Sequence, residues 1–303
     1  MTTKYEIHLD GVSALDLSLG VLRDLADLII EGASRAVRLA AEGRSTARGT
    51  APIWVSESSD IRVVAFREGS LVMDVVARPL AEVAPTIFTG SGTTEAIVAH
   101  GETAFDLLMG AIDDALHGRR DSDRLDFGML QTLARSRSIF ARGATQLRIA
   151  REGGQAIEFS EPAVEQFQKL AAETPSPRVD RIVGVLDSLT MSTRTASMKL
   201  EDGLSLKGNL STSMNLDAVK NLLGHEVVVE GIVSFRPSTR PQRVEIDHID
   251  AASGRDVIWK RTPKGELGQQ SFALPSEDLG RYFGQWPGEE DDERVFTALR
   301  RTD

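Results

Sequence analysis

The chain contains no cysteine. Disulfides, thiolate zinc sites and a thiol nucleophile are therefore excluded. The absence suits a reducing cytoplasm, where thiols are not needed as staples. Aromatic residues make up only 5% of the sequence, so its cores must rest mainly on Val, Leu, Ile and Ala. No apolar run reaches the ~18 residues of a membrane span, so no membrane partner is expected. The opening "MTTKYEIHLDGV" lacks a basic flank followed by an apolar run, and no signal peptide is expected. The net charge of −10 works against nonspecific binding to phosphate backbones. Basic patches can still act locally, so charge has to be read region by region.

Catalytic signatures are missing as well. There is no Gly-x-Ser-x-Gly elbow. The "GSGTT" at 90–94 is not followed by the lysine that a phosphate-binding loop requires, and it reads as a loop leading into a helix cap. None of His8, His100, His117, His225 and His248 pairs with another at metal-ligand spacing. The neighbouring acids Asp113 and Asp114, and Asp121 and Asp123, read as a solvated face near a helix end. No cofactor or metal is expected, and no residue set supports an enzyme.

What is present reads as an α+β chain of about two domains, since a domain typically runs to ~100–200 residues. Residues 1–173 form a mixed domain with antiparallel hairpins and helices. "KYEIHL" (4–9) alternates as a strand does. After it, Leu22, Leu25, Ile29, Ala33, Val37 and Ala40 fall three or four apart, which predicts one helical stripe. Gly32 lies inside that stripe and argues against an unbroken helix. The runs 61–77 and 145–160 read as hairpins around "REGS" and "REGG", with Gly69 supplying a positive φ in the first. Residues 92–118 read as a helix interrupted at Gly101, residues 125–143 as another. Residues 161–173 read as a short helix with Pro162 in its first turn.

A basic stretch from Gln131 to Arg151 carries Arg135, Arg137, Arg142, Arg148 and Arg151 and no acid. It would suit a nucleic acid or an acidic protein face. The plainer expectation is structural: on a helix Arg137 falls near the stripe of Leu130, Leu133, Phe140 and Ala144 and would pair with a buried carboxylate between elements, since arginines often lay their aliphatic stems along apolar surface.

"TPSPR" (174–178) reads as a linker. Residues 178–252 then run strand, hairpin around Asp202-Gly203, helix from Asn215 to Gly224, and two strands. That order resembles the OB-fold, a five-stranded barrel with a helix between its third and fourth strands. The loop "SFRPSTRPQR" (234–243) joins the last two strands, where OB-folds often meet oligonucleotides. Its Arg236, Arg240 and Arg243 are candidate phosphate contacts. Against this, Phe235 is the only aromatic in the five strands, and stacking platforms are what such barrels normally present. Nine Lys/Arg face ten Asp/Glu in 178–252, a net of −1. A barrel that contacts another domain or protein is the competing expectation.

Residues 253–303 read as an extended arm, rich in Gly and Pro, ending in a short helix. Its end, "RYFGQWPGEEDDERVFTALRRTD", places Tyr282, Phe283 and Trp286 within five residues, just before a Pro-Gly turn. Five consecutive acids, Glu289 to Glu293, precede "ERVFTALRR", where negative charge suits a helix N-terminus, and Arg300 and Arg301 suit its C-terminus. Val295, Phe296 and Leu299 form an apolar ridge. So short a helix is marginal alone and needs a surface: its own first domain, a second copy in a homo-oligomer, or a protein partner. The Trp-Pro-Gly-Glu-Glu run, the acids after it and the terminal Ala-Leu-Arg-Arg resemble the C-terminal tails of some bacterial antitoxin-like proteins encoded beside PIN-domain ribonuclease toxins. That resemblance covers roughly the last 25 residues. It implies a tail that wraps a nuclease, with Arg294, Arg300 or Arg301 reaching the nuclease's acidic metal site. The large body ahead of the tail departs from the usual small DNA-binding antitoxin domain. The leading expectation is a cytoplasmic, non-enzymatic partner-binding protein, and the alternative is a nucleic-acid-binding barrel.

Overall fold

The computed structural model describes residues 2–13, 17–46, 50–67, 70–88, 99, 101–191 and 194–265. These residues belong to one compact unit. In chain order the first part comprises β1 (Thr3–Ser13), α1 (Leu19–Glu42), α2 (Ile53–Ser58), β2 (Arg62–Arg67), β3 (Ser70–Ala77), α3 (Leu80–Val83) and α4 (Pro85–Phe88). It continues with α5 (Ala104–Leu116), α6 (Phe127–Ala134), α7 (Arg137–Ala141), β4 (Gln146–Arg151), β5 (Ala156–Phe159) and α8 (Glu161–Glu173).

The strands form one antiparallel sheet in the order β2-β3-β1-β4-β5. Both hairpins expected from the sequence are present, and β1 joins them by pairing with β3 on one side and β4 on the other. The alternation in β1 sends Tyr5, Ile7 and Leu9 into the core, as period-two geometry requires of a half-buried strand. Gly69 lies outside the described residues, as does the 92–98 part of the expected helix at 92–118.

Helix α1 runs unbroken through Gly32. A Cβ at this position would lie 2.8 Å from Leu108 Cδ1 of α5. The glycine therefore permits a close helix–helix approach; it does not break the helix. Ser18 caps the start by accepting from the Gly20 N–H, and Gly43 ends the helix at φ 70°, a left-handed closure that glycine adopts without penalty. Gly101, at φ 85°, lies before the start of α5. That helix is capped by Thr103, whose hydroxyl accepts from the Asp106 N–H while Asp106 accepts from the Thr103 N–H, a reciprocal capping box.

The single helix expected over 125–143 is instead two, α6 and α7, with a break at Arg135 and Ser136. The buried Ser136 hydroxyl donates to the Leu133 carbonyl at 2.6 Å. Side-chain bonding of this kind competes with the helical ladder. Pro162 occupies the first turn of α8.

The second part comprises β6 (Arg178–Thr190), β7 (Thr195–Lys199), β8 (Ser205–Leu210), α9 (Leu216–Lys220), β9 (Glu226–Phe235) and β10 (Pro241–Ala251). It is a closed barrel in the order β10-β8-β7-β6-β9, with β9 and β10 also paired. All its pairs are antiparallel except β8 with β10. With α9 between its third and fourth strands, the barrel has OB-like topology. Its interior is aliphatic apart from Phe235, with Ile182, Leu186, Val229 and Ile246 nearly inaccessible. Gly203 turns the β7–β8 hairpin at φ 82°. Asn215 caps α9 by accepting from the Asp217 N–H.

The start of the expected arm lies along this barrel. A short 3-10 helix, Asp256–Trp259, follows β10. Lys260 pairs with Glu226 at 2.7 Å, Arg178 donates to the Lys264 carbonyl at 3.0 Å, and the Gly265 N–H donates to Thr239 at 3.0 Å. Lone polar residues scattered through a Gly- and Pro-rich stretch give no periodic signal for such contacts. The rest of the arm lies outside the described residues. No helix among the described residues is long and apolar enough to cross a membrane.

Gly231 sits where β9 meets both β10 and β6. A Cβ there would come within 1.8 Å of the Glu245 carbonyl oxygen. Backbone cannot yield as a side chain end can, so Gly231→Ala is expected to lower stability by about 3 kcal/mol, the upper end of overpacking costs. Urea unfolding measures this; a midpoint equal to that of the parent chain would contradict the close approach.

Candidate functional site

The candidate partner-binding residues Tyr282, Phe283, Trp286, Arg294, Val295, Phe296, Leu299, Arg300 and Arg301 lie outside the described residues, as do residues 90–94. The candidate basic loop is described in full. Its first turn closes when the Arg236 N–H donates to the Arg240 carbonyl at 2.9 Å, with Thr239 at φ 68°. This loop meets the segment after α5. The Arg236 guanidinium binds the Asp123 carboxylate, with Nε 3.1 Å from Oδ1. Arg240 lies 3.7 Å from Asp121. The Gln242 amide donates to the Asp123 carbonyl at 3.0 Å, and the Ser238 N–H donates to the Arg120 carbonyl at 3.1 Å.

Arg243 reaches a different place, the end of α1. It lies so close over Gly43 that a Cβ on that residue would fall 2.2 Å from Arg243 Cδ. Arg243 donates to Asn209 Oδ1 at 2.8 Å, and Asn209 in turn donates to the Glu42 carbonyl at 2.9 Å. Arg44 pairs with Glu245 of β10 and, at 3.0 Å, with Glu42. A helix C-terminus carries partial negative charge on its unpaired carbonyls and attracts cations. Two arginines meet that end here, but their surroundings differ. Burial weakens the Arg44 cation, yet its bonds to Glu245 and Glu42 outweigh this and hold its pKa above the ordinary value. Burial, and then the Arg44 charge, push Arg243 down to about 10, with only Glu42 opposing.

The segment that receives the barrel loop has its own support. Asp114, expected on a solvated face, is instead buried at 3% exposure. It accepts from Arg119 at 2.6 Å, from the Ser122 hydroxyl at 2.5 Å and from Arg124 at 3.4 Å. A buried carboxylate needs such partners, and here they hold residues 119–124 in place. Asp121 and Asp123 are the carboxylates that face the barrel arginines. Adjacent acids carry no sequence signal for which of them turns inward; the distinction arises when Arg119, Ser122 and Arg124 fold back onto Asp114.

The basic stretch 131–151 is likewise engaged within its own domain. Arg135 pairs with Glu31 at 2.9 Å, Arg142 with Asp24 at 3.0 Å, Arg148 with Glu158 at 3.1 Å and Arg151 with Asp106 at 3.2 Å. Four of its five arginines are thus engaged within the domain, but Arg137, the one expected to meet a buried carboxylate, is instead exposed. The Asp106–Arg151 pair belongs to a polar cluster that the sequence reading missed. The Tyr5 hydroxyl bonds the Thr103 hydroxyl at 2.7 Å, and Thr103 donates to Asp106 at 3.2 Å. Burial pushes the Tyr5 phenol well above its ordinary pKa. The Thr-x-x-Asp spacing signals the cap; the tyrosine 98 positions away has no local signal. This cluster ties β1 to the start of α5. Among the described residues no group of three or more His, Asp or Glu could hold a metal. No protein-family model matches this chain, and no curated protein matches it.

Two measurements check these pairs. In a double-mutant cycle of Asp123→Ala with Arg236→Ala, a coupling of about 0.5–1 kcal/mol is expected, shrinking with added salt, as for other partly exposed ion pairs. Zero coupling would detach the barrel loop from the first domain. Burial raises the Asp24 carboxyl, but bonds from Ser138, Arg142 and Arg23 together hold it below its ordinary 3.8. A depressed carboxylate contributes stability above its unfolded value and loses it as pH falls through the folded one. Asp24→Asn should therefore flatten the loss of stability below about pH 4, and an unchanged acid limb would refute the pairing.

Proposed function

We propose that this chain is a non-enzymatic protein-binding component that acts through its C-terminal tail, as an antitoxin-like neutraliser of a partner nuclease in a bacterial cytoplasm. One observation favours this over the nucleic-acid reading. The three arginines of the barrel loop face groups of their own chain: Asp123, Asp121 and Asn209. For Arg236 to contact the phosphates of a strand, it would have to abandon Asp123, and Arg243 is turned to the end of α1, where it bonds Asn209. The loop then serves to hold the barrel on the first domain, and the tail is left as the element suited to capturing a partner. Its aromatic anchors Tyr282, Phe283 and Trp286, and its ridge Val295, Phe296 and Leu299, have the chemistry of a segment that fills an apolar groove. Arg294, Arg300 or Arg301 would face the carboxylates of a PIN-domain metal site. The partner class rests on the Trp-Pro-Gly-Glu-Glu and Ala-Leu-Arg-Arg resemblance.

Co-expression with the product of the neighbouring gene, with and without residues 276–303, tests the reading. The full chain should co-purify with that protein and suppress its ribonuclease activity, and the shortened chain should do neither. Equal binding and protection by both forms would overturn it. Retention of the shortened chain on single-stranded oligonucleotides at low salt, abolished by Arg240→Ala, would favour the barrel instead.

A further inference from the structure

The junction of α1 with the barrel encloses a cavity of about 140 Å3. One wall is apolar, formed by Ala36, Leu39 and Ala40 of α1 with Leu107 of α5. The other wall carries Arg124, Lys207, Arg236 and Arg243 with a single carboxylate, Asp123. That carboxylate is already taken by Arg236. Arg124 reaches the buried Asp114 only at 3.4 Å. Lys207 has no carboxylate partner among the described residues. Arg243 has a neutral side-chain partner, Asn209, and its buried Nε bonds to nothing.

A desolvated guanidinium without a counter-charge is unfavourable, and its N–H groups form a fork that matches an oxyanion. The α1 terminus relieves part of this through Asn209 and the Glu42 carbonyl. It leaves Nε unserved. The depressed Arg243 pKa has the same physical origin. Gln242 also lines the cavity, and its buried Oε1 lacks a donor. An anion that carries one O–H would serve both orphaned atoms. Hydrogen phosphate does so; sulfate, with no proton at neutral pH, does not.

We propose that this cavity is a binding site for a small tetrahedral oxyanion, hydrogen phosphate foremost, held by Arg243 and Lys207 with Gln242 accepting its O–H. The site is independent of the tail and of the nuclease-partner reading. Its size, below the ~300 Å3 lower bound of drug-sized pockets, suits a lone phosphate group better than a nucleotide.

Calorimetric titration of the full chain with inorganic phosphate, at fixed ionic strength, tests the proposal. One saturable site per chain is expected, together with a phosphate-dependent rise in Tm. Arg243→Gln should abolish binding, but it also loosens the junction. Lys207→Gln, at an exposed position, leaves the fold intact and should weaken binding about tenfold, as loss of one charged contact does. Lys169→Gln, on the exposed side of α8, should change nothing. Sulfate should bind more weakly; equal affinity would overturn the role of Gln242. Glycerol 3-phosphate, whose dianion carries no O–H on phosphorus at neutral pH, separates the sources: binding weaker than phosphate, as for sulfate, identifies the free ion, and affinity equal to phosphate would overturn the role of Gln242. Absence of saturable binding by any of these anions, or equal affinities in Lys207→Gln and Lys169→Gln, would overturn the site.

Discussion

The contact between the end of α1 and the barrel is the constraint on which the rest of the structure depends. Arg243 can lie over the helix end only because residue 43 has no side chain. The same glycine closes the helix in a left-handed conformation. One residue thus ends α1 and makes room for the barrel. Asn209 then relays the Glu42 carbonyl at the helix end to the guanidinium, and Arg44 bridges Glu42 to Glu245. Cations from both parts of the chain collect where a helix presents negative charge, so local helix chemistry becomes a long-range attachment.

A second contact line reinforces the first. Asp114 is buried in order to organise residues 119–124, and those residues meet the β9–β10 loop through Asp123, Asp121 and the Arg120 carbonyl. The loop that an OB-like barrel would otherwise offer to a strand of nucleic acid is committed to its own neighbour. Surface ion pairs contribute little individually. A set of them arranged around two hydrogen bonds to backbone carbonyls and a packed helix end acts as a unit. The charge left over in this arrangement, on Arg243 and Lys207, borders the cavity between the parts.

Much of the fold was legible because it follows local rules. The stripe from Leu22 to Ala40, the paired hairpins around β1, Pro162 in the first turn of α8 and the Asp202-Gly203 turn all arise from the period or stereochemistry of neighbouring residues. The OB-like order was legible as a succession of elements. What failed did so where a distant group decides. Gly32 counts against an unbroken helix until Leu108 packs on it, Asp114 reads as solvated until Arg119 and Ser122 enclose it, and residues 125–143 read as one helix until Ser136 turns its hydroxyl inward. The contacts of residues 253–265 with the barrel have no periodic trace in the sequence at all.

By itself the sequence determined the α+β class, the hairpins, the strand–helix order of the barrel and the absence of thiol chemistry, because each depends on residue type and near-neighbour spacing. Only the tertiary structure decided what the charged residues do. Arg236, Arg240 and Arg243 have the composition of a phosphate-binding loop, and five arginines in 131–151 have that of a basic patch. Whether an arginine is free or paired depends on which carboxylate lies within about 4 Å of it. That distance is set by how two cores, more than a hundred residues apart in the chain at Asp123 and Arg236, come to rest against each other.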